Sequence, residues 1–129
     1  MGFHITARTA HGQSVEVISN ISHSTGAAFG DWLYQMHPGL AYDPNPATSP
    51  LIPADTSELA YLLCAGYNGE ALSLNATCRT MKGLSQLVEC IDAYPGPLDE
   101  RTTYFADLAR TLLLGAEFAV GHAGSLCFD

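Results

Sequence analysis

Apolar residues recur along this chain with two periods, and the changes of period divide it into elements. In residues 2–9, Phe3, Ile5 and Ala7 alternate with polar neighbours, and in residues 14–21 Val15 and Val17 do the same. Two strands are predicted, joined by a turn at His11-Gly12-Gln13-Ser14. A lone hairpin is marginal in water, so this one must pack on the rest of the chain.

The period then lengthens. Phe29, Leu33 and Met36 fall on one helical face with Trp32 beside them, which predicts a helix over Ala27–Met36 that Ser24 or Thr25 caps and Pro38-Gly39 ends. Residues 37–54 hold five of the seven prolines and no periodicity, so they are expected to form a stiff loop rather than a domain boundary. Asp55-Thr56-Ser57-Glu58 resembles a capping box, and Leu59, Leu62, Leu63 and Gly66 continue as a helix that Asn68-Gly69 stops. Residues 70–76 fit a short strand or a loop, with the loop favoured. Thr77 is placed as the cap of a helix over Cys78–Tyr94, whose apolar residues Met81, Leu84, Leu87, Val88 and Ile91 keep a 3.6 period. Pro95-Gly96-Pro97 breaks it. A last helix, about Leu98–Val120, carries a stripe of Phe105, Leu108, Leu112 and Ala116, widened by Ala109 and Leu113. Asp99 and Glu100 suit its first turn, where the helix dipole favours anions. The tail Ser125-Leu126-Cys127-Phe128 fits a short strand.

These elements predict an α+β fold: an N-terminal β-hairpin packed on a mostly helical body that ends in an antiparallel helix pair. Residues 1–129 are expected to form a single compact domain, since the roughly 36 residues before the proline-rich loop are too few for a separate core.

Charge narrows the functional classes. Five basic residues stand against thirteen acidic ones, for a net charge of −8. Binding a phosphate backbone requires clustered Lys and Arg, and the closest pair here is Arg79 and Lys82. Direct nucleic-acid binding and adsorption to anionic lipid are therefore not expected. A neutral or basic protein partner is compatible with the charge. The first residues show no basic start followed by an apolar core, which predicts a cytoplasmic protein with reduced cysteines. Cys64, Cys90 and Cys127 sit among apolar neighbours and are expected as small core residues.

Candidate chemistry is sparse. The histidines lack the spacing of a ligand set and the cysteines form no CxxC pair, so neither a metal nor a cofactor is expected. Ser22, His23, Ser24, Thr25 and Gly26 follow a strand and open a helix; free N–H groups and hydroxyls there suit a small anionic ligand or nucleotide, or simply a cap. Ser24 with His122, and Cys64 with His23, are the conceivable nucleophile–base pairs, though no spacing selects either. Tyr42 and Asp43 in the stiff loop, with Asp55 and Glu58 just beyond it, offer an aromatic and three acids to a partner. The leading expectation is a small acidic inhibitor that blocks a partner's surface without catalysis. Immunity proteins, toxin inhibitors and phage inhibitors of host defence systems, CRISPR complexes included, share that profile. A ligand-binding protein or enzyme built on residues 22–26 is the alternative, and a homo-oligomeric structural protein a third.

Overall fold

The computed structural model describes residues 2–36, 56–65 and 70–128. The first strand, β1 (Gly2–Arg8), pairs antiparallel with β2 (Ser14–Ser22). The turn between them closes two residues earlier than expected, with Gly12 N–H donating to the Thr9 carbonyl at 3.1 Å and Gly12 taking a left-handed φ of 86°. Among the described residues four helices follow: α1 (His23–Met36), α2 (Ser57–Ala65), α3 (Leu74–Asp92) and α4 (Glu100–Gly121). Two short strands complete the set, β3 (Glu70–Ala71) before α3 and β4 (Ser125–Phe128) after α4. The expected α+β class, with its hairpin, helical body and terminal helix pair, is what the structure has.

The hairpin is half of a larger sheet. The strand order is β2-β1-β4-β3, and every pairing is antiparallel. The end of the chain therefore runs through the middle of the sheet. Ile5 lies opposite Phe128 and Ala7 opposite Leu126, and all four are buried on one face. Helix α4 packs across β1, β2 and β4, presenting Phe105, Ala109, Leu112, Ala116 and Ala119. Helices α3 and α4 pair, as do α1 and α2. The two helix pairs share an aromatic cluster in which Phe29 and Trp32 of α1 meet Phe105 of α4, at ring separations of 5.5 and 5.6 Å. The indole N–H of Trp32 is buried there without an acceptor among the described residues, a desolvation cost of about 1–3 kcal/mol.

Helix starts are set by local hydrogen bonds, and these depart from the pattern-based expectation. Helix α1 begins at His23, four residues early, because the Ser22 hydroxyl accepts the Thr25 N–H at 3.1 Å. Helix α3 begins at Leu74: Ser73 accepts the Ala76 N–H at 3.0 Å, while the Thr77 hydroxyl turns back to the Ser73 carbonyl at 2.8 Å. Thr77 is thus a first-turn residue and not the cap. In α2 the Thr56 carbonyl accepts the Ala60 N–H, so the helix register is one residue later than a box closed by Asp55 and Glu58 requires. In α4 Asp99, expected inside the first turn, is instead the cap, accepting the Thr102 N–H at 2.7 Å ahead of a helix that begins at Glu100. That bond holds the Asp99 carboxyl below the usual carboxylate range, with a smaller contribution from Arg101.

The exit from α4 fixes the last strand. Gly124 N–H donates to the Ala119 carbonyl at 2.7 Å and Ala123 N–H to the Val120 carbonyl at 3.1 Å, with Ala123 at a left-handed φ of 54°. Gly124 sits so close to β1 that a Cβ there would stand 1.6 Å from the Arg8 carbonyl oxygen. Only glycine allows the chain to pass that point and enter the sheet as β4.

Candidate partner-binding surface

Residues 22–26 form a helix cap whose hydroxyls are turned on one another. The Ser22 hydroxyl donates to the Thr25 hydroxyl at 2.8 Å, lies 3.2 Å from that of Ser24, and also takes the Thr25 N–H. Gly26 is buried and His23 half-buried. The Ser22 hydroxyl proton is thus committed within the cap, and these bonds are the ones by which a helix start satisfies its own first turn.

The conceivable nucleophiles have other neighbours. The Cys64 thiol of α2 faces two acceptors on α1, the Ala27 carbonyl at 3.7 Å and Asp31 Oδ1 at 3.6 Å. Burial and the Asp31 carboxylate both push the Cys64 thiol up, the reverse of the electropositive setting that makes a thiolate. Burial, then Cys64 and Asp31, raise the Tyr34 phenol in the same corner. His122 stacks on Phe118 at 4.4 Å, with Nδ1 3.1 Å from the Phe118 carbonyl oxygen. Cys64 and Cys90 are exposed, contrary to their expected core placement, while Cys127 is buried in β4. The apolar neighbours of Cys64 and Cys90 in sequence lie on other faces of their helices. Among the described residues no group of three or more His, Cys, Asp or Glu is placed to hold a metal ion.

Of the expected partner contacts, Tyr42, Asp43 and Asp55 lie outside the described residues. Glu58 is exposed on α2, but its carboxylate pairs with Arg79 of α3 and is not a free acid. Its sequence spacing gave no hint of this cross-helix partner.

The acids elsewhere share one property. Glu16, Asp31, Glu70, Glu89, Asp92, Asp99, Glu100, Asp107 and Glu117 are all exposed, as is Glu58. The cations near them are engaged. Arg110 bridges Asp92 at 2.6 Å and Asp107 at 3.0 Å, and the hydrogen bond to Asp92 raises its guanidinium further. Arg101 lies over the Phe105 ring, 5.4 Å from its centroid.

One end of the α3–α4 pair joins this acidity to aromatic surface. Residues 93–99 connect the end of α3 to the start of α4, so Glu89 and Tyr94, with Asp92 held by Arg110, stand at the same end as Asp99, Glu100 and Tyr104. Tyr94 is 58% exposed and Tyr104 50%. Glu100 and Tyr104, four residues apart, share a helix face. A cap, a break and an apolar stripe account for the neighbouring residues, and the two tyrosines fall off the stripes. That displacement from the 3.6 period was the available signal for this surface.

No helix among the described residues is long and apolar enough to cross a membrane. No protein-family model, curated protein or solved structure matches the chain.

Proposed function

We propose that this chain is a non-enzymatic binding protein that occupies a basic or neutral surface of another protein and thereby blocks it, as immunity proteins, antitoxins and phage anti-defence inhibitors do. The observation that carries this reading is the exposure of every acid among the described residues, with Arg79, Arg101 and Arg110 already engaged within the molecule. With a net charge of −8 the field presented to a partner is negative, which steers encounter with clustered Lys and Arg. Tyr94 and Tyr104 supply the contact area that acids lack, since tyrosine joins an apolar ring to a polar tip. In this mechanism the acids pair with cations that otherwise hold the partner's own substrate. Tyr42, Asp43 and Asp55 belong to the same proposal as further contacts.

The test is affinity capture on the immobilised full chain, from the cells that make it, followed by mass determination. A single protein retained in stoichiometric amount, and released as ionic strength rises, is the expected result. If no such protein is retained, and a panel of nucleotides raises the melting temperature instead, binding of a small ligand at residues 22–26 replaces this reading.

A further inference from the structure

We draw no further inference here: the strongest candidate, the apolar groove between β2 and α4 along which Val15 and Leu114 are exposed, carries nothing because nothing in the structure shows what covers it.

Discussion

The two ends of the chain both contribute strands to one sheet, and they fare in opposite ways. β2 has nine residues, with Val15 and Val17 alternating, yet it lies at the sheet edge and Val15 is 49% exposed. β4 has four residues, and three of them, Leu126, Cys127 and Phe128, are buried. Position in the sheet, more than length or pattern, decides burial. β4 has neighbours on both sides and α4 across its face. β2 has one neighbouring strand, and its register with β1 shifts twice, between Phe3 and Ile5 and again between Ile5 and Thr6. Each shift sets an extra β2 residue against β1; the two together restore the alternation, so Val15 lies opposite Ala7 on the face that Ile21 shares and is exposed because the groove between β2 and α4 stays open there. Such irregularity also makes an edge a poor template for another strand.

The comparison can be broken most sharply by truncating one apolar residue in each strand. Phe128→Ala empties a fully buried site and is expected to cost about 3–5 kcal/mol in urea unfolding. Val15→Ala removes a half-exposed side chain and is expected to cost under about 1 kcal/mol. Equal losses would mean that β4 is not the central strand described. The entrance to β4 gives the next largest effect. Gly124→Ala drives a Cβ into the Arg8 backbone, and about 1–3 kcal/mol should be lost, with β1 and β4 amides exchanging faster. Unchanged exchange in those strands would separate the turn from the sheet. The smallest effect has the opposite sign. Ala123→Gly relieves a left-handed non-glycine residue, and a gain of about 0.5–1 kcal/mol is expected from the same unfolding measurement. A loss would show that the turn does not hold that conformation in solution.

Much of this architecture is legible in the sequence, and the gaps have a common cause. The strands over 2–9 and 14–21, the α3 and α4 stripes and the terminal strand follow from periodicity, which is local. The neighbours of β4 are not local: Leu72 N–H donates to the Leu126 carbonyl at 2.9 Å across 54 residues of chain, and no window contains both. That is why residues 70–76 fitted a loop as well as a strand. Helix starts failed for a narrower reason. Ser73 and Thr77 are both good caps four residues apart, and a hydroxyl inside the first turn looks like one before it. The same ambiguity hid Ser22 behind Ser24 and Thr25.

The candidate surface was legible in kind but not in place. The excess of acids, the want of a basic cluster and the surplus of tyrosines are properties of composition. That Tyr94 and Tyr104 share an end of the helix pair with Glu89, Asp99 and Glu100 depends on how α3 and α4 meet. Glu58 shows the converse, since an acid chosen as a partner contact proved to be held by Arg79.

The most direct measurement is calorimetric titration of the captured partner with the wild-type chain and with a Glu89→Gln/Glu100→Gln variant, at low and at raised salt, after circular dichroism has shown the variant folded. An acidic surface that engages a basic partner predicts at least a tenfold weaker Kd for the variant, about 1.4 kcal/mol, and a shallower salt dependence than the wild type shows. Equal affinities with equal salt dependence would contradict the account and leave the exposed acids a matter of solubility alone.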